Sequence, residues 1–347
     1  MRKNYFMLFA NCVAVKGASR GAIYDLQNEV IKLIPNILVD VLELAKTNTI
    51  DEVKAHFGHD MDEGIDRYIS LLENEGYGFR TAEPHRFPPL SLEWDHPAAI
   101  TNAIIDVGRR SNHNYEQIAL ALDGVGCVAV QFRFFDFIGP ATLESVLKVY
   151  NGTRVISLEL IVKYDPALVS QLPTLIYEYR RVRSVTIHGS PDEQRIKDER
   201  TGVELIYITA EIDSSAHCGQ VSSDHFVSNI GFFTESQRFN TCLNRKISLD
   251  VAGNIKNCPS MTTTFGKLTD TDLKDVVRQA DFKKVWTVTK EMIDVCKVCE
   301  FRHACTDCRA FVGDNPLGKP VKCGYDPHTM KWETTENKTV AWPVRDA

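Results

Sequence analysis

The sequence predicts an α/β protein in three parts: a small winged-helix-like domain, a partial barrel of β/α units, and a cysteine-rich end. Three observations predict it. Apolar strand-like runs alternate with helical stretches through the middle of the chain. Ahead of them, strand-like residues lead into three helical stretches and one more strand. Behind them, Cys242, Cys258, Cys296, Cys299, Cys305, Cys308 and Cys323 fall in one ordered pattern.

The first part is residues 1–88. Met7 to Val15 and Ala22 to Leu26 read as strands, joined by the turn-rich Lys16-Gly17-Ala18-Ser19-Arg20. Asn36 to Ala45 is helix-like, with Ile37, Val41 and Leu44 on one face. Thr49 is placed to cap a second helix, because Glu52 stands at capping-box spacing. Met61 to Asn74 carries Ile65, Tyr68, Ile69 and Leu72 at helical spacing, Gly76 stops it, and Tyr77 to Thr81 reads as a strand. Pro84, Pro88 and Pro89 mark a linker.

The second part, residues 89–215, repeats strand and helix. Strands are expected at Ala103–Val107, Cys127–Phe135, Val155–Val162, Val182–Ile187 and Glu204–Ile212, with helices at Tyr115–Leu122, Thr142–Val149 and Leu168–Arg181 between them. Such repetition implies a mostly parallel sheet with covered faces. About five strands are too few for an eight-stranded barrel.

The third part is residues 216–347. Leu243–Leu249 and Ile255 read as a hairpin, and Asp272–Val277 and Phe282–Met292 as helices. Beyond Cys296 there are many turns and little periodicity. A segment of that kind buries too little apolar area to order itself, so bound metal has to contribute folding energy.

Composition narrows the function classes. The chain has 347 residues, 44% hydrophobic and 25% charged, which is ordinary for a globular protein. Its net charge is −6 and no long basic run exists, against a nucleic-acid partner. Ten cysteines are an even number, but their clustered spacing in a long chain reads as metal chemistry rather than disulfides. Arg2 and Lys3 before the apolar Tyr5–Val15 mimic a secretory signal, but Asn11 interrupts it and no small-x-small cleavage site follows. No stretch reaches the length of a membrane span. A cytoplasmic protein with no membrane partner is expected.

The cysteines read C-x10-G-x4-C, with Gly253 as the glycine, then C-x2-C-x5-C-x2-C-x14-C. Tight C-x2-C turns deliver two sulfurs to one zinc or iron–sulfur centre. The pattern resembles the SPASM domain of radical-SAM peptide-modifying enzymes, departing from it in the C-x2-C of Cys305 and Cys308. His217-Cys218-Gly219, Asn240-Thr241-Cys242-Leu243-Asn244-Arg245-Lys246, Asn257-Cys258-Pro259-Ser260-Met261 and the opening Leu8-Phe9-Ala10-Asn11-Cys12 are similar to the grasp-with-spasm peptide maturases. The resemblance implies a degenerate partial (β/α) barrel of radical-SAM type, a PqqD-like N-terminal domain that recognises a leader peptide, and a C-terminal SPASM/twitch domain.

It also implies two 4Fe–4S clusters. One takes Cys296, Cys299, Cys305 and Cys323. The other takes Cys242, Cys258 and Cys308, with Cys218 as the best fourth ligand, because Ser236 stands where a cysteine is usual. His217, His225 or an open site are the alternatives for that fourth position, and two structural zinc sites are the alternative for the whole region. The partners implied are a ribosomal precursor peptide and an ATP-grasp ligase, which binds the ATP. The radical-SAM C-x3-C-x2-C is missing: the loop expected to carry it is Gly108-Arg109-Arg110-Ser111-Asn112-His113-Asn114. Phe135-Asp136-Phe137-Ile138-Gly139-Pro140 stands where Gly-Gly-Glu-Pro is expected. No S-adenosylmethionine is therefore expected.

The function implied is an iron–sulfur protein of peptide maturation without radical chemistry. The alternatives are an oxidoreductase acting on the precursor through its clusters, or a zinc-stabilised scaffold. The leader is expected as an added strand on a free edge near Ala22–Leu26, the alternative being a domain that only packs on the barrel. Gly124 and Gly126 read as a helix-to-strand turn, Arg109, Arg110, His113 and Asn114 as a solvated loop, Glu159 and His188 as satisfied interior groups, and Cys12 and Cys127 as inert core thiols.

Overall fold

The computed structural model describes residues 4–333. Arg2, Lys3 and residues 334–347 of the cysteine-rich part lie outside the described residues.

The chain opens with β1 (Tyr5–Leu8), β2 (Cys12–Val15), β3 (Gly21–Asp25) and β4 (Val30–Ile34), then α1 (Asn36–Ala45), α2 (Ile50–His56), α3 (Asp62–Asn74) and β5 (Gly78–Thr81). The expected single strand from Met7 to Val15 is broken. The Cys12 amide donates to Phe9 O at 2.8 Å, and the turn sends β1 to pair with β5 while β2 pairs with β3. Thr49 does cap α2: Thr49 Oγ1 accepts from the Glu52 amide at 3.2 Å, and Glu52 Oε2 accepts from the Thr49 amide at 2.7 Å.

The sheet order β2-β3-β4 corrects one expectation. β3, which holds Ala22 to Asp25, is the central strand and buried throughout, so it offers no edge. The edges belong to β2 and to β4, a strand the sequence reading missed. Its Val30 and Leu33 are exposed, an unusual place for large apolar side chains on a strand with one free side.

The middle of the chain forms β6 (Asn102–Val107), α4 (Tyr115–Gly124), β7 (Ala129–Phe134), α5 (Pro140–Lys148), β8 (Ser157–Lys163), α6 (Pro166–Glu178), β9 (Val182–His188), β10 (Gln194–Lys197) and β11 (Glu204–Ile208). Then come α7 (Ile230–Ser236), β12 (Lys246–Leu249), β13 (Ile255–Lys256), α8 (Leu273–Arg278), α9 (Ala280–Lys283), β14 (Tyr325–Asp326) and β15 (Lys331–Trp332). Phe282–Met292 is not one helix. It is the end of α9 followed by two short 3₁₀ turns, because the stretch holds β-branched Val285, Thr287, Val288 and Thr289 in a row of poor helix formers.

The central sheet has eight strands, ordered β10-β11-β9-β8-β7-β6-β12-β13 and mostly parallel. The cysteine-bearing hairpin β12–β13 is part of it, because β12 pairs with β6 in parallel. One sheet face is apolar: Ile105, Phe132, Phe134, Leu160 and Val185 meet Ile118 of α4, Leu143 of α5, Leu168 of α6 and Val276 of α8. Alternate residues point the other way and are mixed, with Gln131, Glu159 and Thr186 beside Ile104 and Ile161. Asp106 and Arg133 are cross-strand partners on that face and form a buried two-pronged ion pair, at 2.5 and 2.7 Å.

The N-terminal domain docks on the cysteine-rich third. Arg20 Nε donates to the buried Glu300 carboxylate at 2.6 Å, and Tyr24 OH donates to Glu300 O at 2.6 Å. Arg302 Nη1 donates to Lys16 O at 2.7 Å, and the Ala18 amide donates to Val298 O at 2.7 Å. A Cβ on Gly17 would stand 2.9 Å from Glu300 Cβ, so the backbone there approaches closely.

Candidate metal centre

Short turns, not long elements, hold the eight candidate cysteines. Cys218 follows the 3₁₀ turn Ser215–His217. Gly219 has φ +86°, and a Cβ there would lie 2.9 Å from Cys308 Sγ, so only glycine lets these two stretches meet. Lys322 Nζ donates to Cys218 O at 2.7 Å and covers the Phe311 ring at 4.0 Å. Cys242 sits on a turn made by Asn240, whose Oδ1 accepts from the amides of Cys242 and Leu243. Cys258 follows β13. Cys296 opens a 3₁₀ turn in which the Cys299 amide donates to Cys296 O at 2.9 Å, and the Cys305 amide donates to Phe301 O at 3.0 Å.

The thiols that raise one another's pKa fall into two groups of four. Burial, with repulsion from Cys218 and Cys242, pushes the Cys258 thiol up to about 12. Burial, with Cys242 and Cys218 adding, pushes Cys308 up to about 11. These four form the first set. In the second, burial pushes Cys305 up to about 11 against the pull of Lys290, with Cys323 and Cys296 adding. Burial raises Cys299 too, and Cys305 and Cys296 add to it. All ten cysteines are free thiols.

The donor set suits thiophilic metal: four sulfurs per set, with cations close by. Lys246 Nζ lies 3.5 Å from Cys242 Sγ, and Lys290 Nζ lies 3.6 Å from Cys305 Sγ. Burying an ammonium is costly unless anions surround it, and a thiolate set supplies them. Among the described residues, no three Cys, His, Asp or Glu side chains lie close enough together to hold a single metal ion. A tetrahedral zinc with Zn–S bonds of about 2.3 Å draws its sulfurs to within ~3.8 Å of one another.

Ser236, which stands where a cysteine is usual, and His217, one of the alternative fourth ligands, are engaged elsewhere. Ser236 Oγ donates to Phe233 O at 2.6 Å and lies 2.9 Å from His303 Nδ1. His217 Nε2 pairs with Asp213 at 2.9 Å. Sequence reasoning missed Lys246, Lys290, Asp307 and the Asp106–Arg133 pair. The signal for Lys290 was available only in part: a lysine six residues ahead of a C-x2-C is unremarkable until the fold buries it.

The other candidates are structural. Asn114 Oδ1 caps α4 by accepting from the Gln117 amide, and Arg109 and Arg110 are exposed. The loop after β6 is pinned: Ser111 Oγ donates to Val251 O at 2.7 Å and His113 Nε2 to Asp106 O at 2.9 Å. Gly126, at φ +79°, turns the chain from α4 into β7. Glu159 accepts from Gln131 Nε2 at 3.0 Å. Buried His188 donates from Nε2 to Phe134 O and accepts the Ile212 amide at Nδ1, and burial holds its pKa below the usual histidine value. Burial also pushes the Cys12 and Cys127 thiols up to about 12.

No protein-family model matches the chain, and no curated protein matches it in sequence. Among solved structures it is similar to the crystal structure of Streptococcus suis SuiB bound to S-adenosylmethionine. The TM-score is 0.35 and the identity 9%, over 90% of this chain and 98% of that chain. The crystal structure of SuiB bound to precursor peptide SuiA matches with TM-score 0.35 and 9% identity, over 91% of this chain and 98% of that chain.

Proposed function

We propose that the chain is a cytoplasmic iron–sulfur protein that takes part in maturing a ribosomally made peptide, binding the precursor's leader and working beside an ATP-grasp ligase. What supports the reading is that the thiols raise one another's pKa within two groups, Cys218, Cys242, Cys258 and Cys308, and Cys296, Cys299, Cys305 and Cys323. That division is the one the SPASM resemblance implies. The donor chemistry supports a thiolate-bound cluster, since a lysine stands beside a sulfur of each set. Bound clusters would supply one-electron chemistry and cross-link the turns that carry them. The chain's own part is to shed the thiol protons, which burial resists, and to neutralise the thiolates with Lys246 and Lys290.

Residues 1–88 would engage the leader, 89–215 give shape, and 216–347 carry the clusters. The free edge of β4, with exposed Val30 and Leu33, supports an added leader strand there: backbone groups give affinity and apolar pockets selectivity. The loop after β6 has no cysteine and is tied down, and the Asp106–Arg133 pair lies on the mixed face beside it. The reading therefore assigns this chain no radical-SAM chemistry and no S-adenosylmethionine.

The test mixes the purified protein with its precursor, with and without the ligase. Leader binding that is lost in a Leu33→Asp variant, with no mass change unless the ligase is present, is the expected result. A mass change produced by this protein alone would overturn the adaptor role in favour of an oxidoreductase.

A further inference from the structure

Asp307 lies between Cys305 and Cys308, and those two cysteines stand in different sets. Its side chain is 1% exposed. One carboxylate oxygen accepts from Asn240 Nδ2 at 2.7 Å, and Asn240 Oδ1 accepts from the Cys242 amide at 3.1 Å. The other oxygen lies 3.4 Å from Lys290 Nζ and 2.7 Å from Arg309 Nη2. Lys290 Nζ in turn reaches Cys305 Sγ at 3.6 Å. A continuous polar chain thus runs from the backbone of Cys242, through Asn240, Asp307 and Lys290, to the sulfur of Cys305. Asn240, Asp307 and Lys290 are all buried.

The two charges in this chain differ in reach. Asp307 is linked through Asn240 to the Cys242 turn of the first set and through Lys290 to Cys305 of the second. Lys290 Nζ makes its sulfur contact with Cys305, of the second set. In a buried, low-dielectric setting a fixed charge is felt far more strongly than in water.

We propose that Asp307 is a positioning residue shared by both thiolate sets, setting the electron affinity of both at once, while Lys290 serves the Cys296 set alone. The proposal rests on the iron–sulfur reading above. One-electron reduction of either set adds a single negative charge and transfers no atom; in the test, dithionite is the donor and is oxidised. The Asp307 carboxylate opposes that added charge on both sides. The Lys290 ammonium favours it on one. Asn240 holds the carboxylate in place between them.

The experiment titrates the anaerobically purified full chain with dithionite, following the electron paramagnetic resonance signals of the two reductive steps and assaying iron. Asp307→Asn keeps the side chain's shape and removes its charge. With iron retained, both steps are expected to move to more positive potential. Movement of one step or of neither overturns the proposal. Lys290→Met is expected to move one step to more negative potential and leave the other in place. If Asp307→Asn loses iron, Lys290→Met decides: two steps moving together, or none moving, overturns the assignment. A wild-type chain with no iron and no reducible signal is a separate result, which removes the iron–sulfur reading and this inference with it.

Discussion

Phe132 in the parallel sheet and Asp307 in the cysteine-rich third are both almost wholly buried, at 0% and 1% exposure, and they hold their surroundings in opposite ways. Phe132 stacks on Phe134 at 5.7 Å and meets Tyr150 edge-on, inside a continuous apolar core. Nothing there depends on charge. Asp307 touches Asn240, Lys290 and Arg309, and it stands between Cys305 and Cys308. A core of the first kind stabilises itself through the area it removes from water. A cluster of the second kind is stable only when its charges are all matched, because each unmatched buried charge costs several kcal/mol, in round terms about 3–5. The sheet is therefore expected to tolerate loss of metal, and the cysteine-rich third is not.

The largest expected effect of a single substitution is in the sheet. Phe132→Ala removes an aromatic ring from the apolar face and should destabilise it by about 3–5 kcal/mol, read from the denaturant midpoint of the loaded protein. Iron content should not change before unfolding. A substantial loss of iron in the folded variant would show that the two regions are not separable.

A somewhat smaller effect is expected where the N-terminal domain meets the cysteine-rich third. Arg20→Ala leaves Glu300, buried at 0% exposure, without its cation. The expected cost is about 3 kcal/mol. Amide exchange should rise in β2, β3 and around Val298 and stay unchanged in β7 and β8. Equal exchange everywhere would contradict the docking described here.

The smallest effect belongs to a purely local device. Thr49→Ala removes the capping box of α2 and should cost about 1 kcal/mol, felt in α2 and its neighbours only. Any change in iron content or leader binding from that substitution would be unexplained by the structure.

The same contrast explains what the sequence made legible. Periodicity exposed the β/α repeats, because apolar runs such as Val155–Val162 supply strands like β8, whose Leu158, Leu160 and Val162 pack into the core. Thr49 and Glu52 announced α2 through local hydrogen bonding alone. β4 was missed because Val30-Ile31-Lys32-Leu33-Ile34 is apolar without clean alternation, and its edge position depends on β3 pairing on the far side. The broken first strand was missed because the break at Phe9-Ala10-Asn11 serves two different sheets. At the candidate centre, the cysteines were legible from their spacing. Lys290, Asp307 and Asn240 were not, because charges this far apart in sequence gain meaning only once the turns bring them together. Nor did anything local say that residues 1–88 would dock on the cysteine-rich third, where Arg20 meets a glutamate 280 positions away.

The most direct test is the metal content and visible spectrum of the anaerobically purified protein, read together with amide exchange before and after chelation. The account predicts about eight irons per chain, broad absorption at roughly 400 nm, and, after iron removal, loss of protection around Cys296–Cys323 with the parallel sheet, β12 included, intact. Two zincs without colour, or a cysteine-rich third equally protected when no metal is bound, would contradict it.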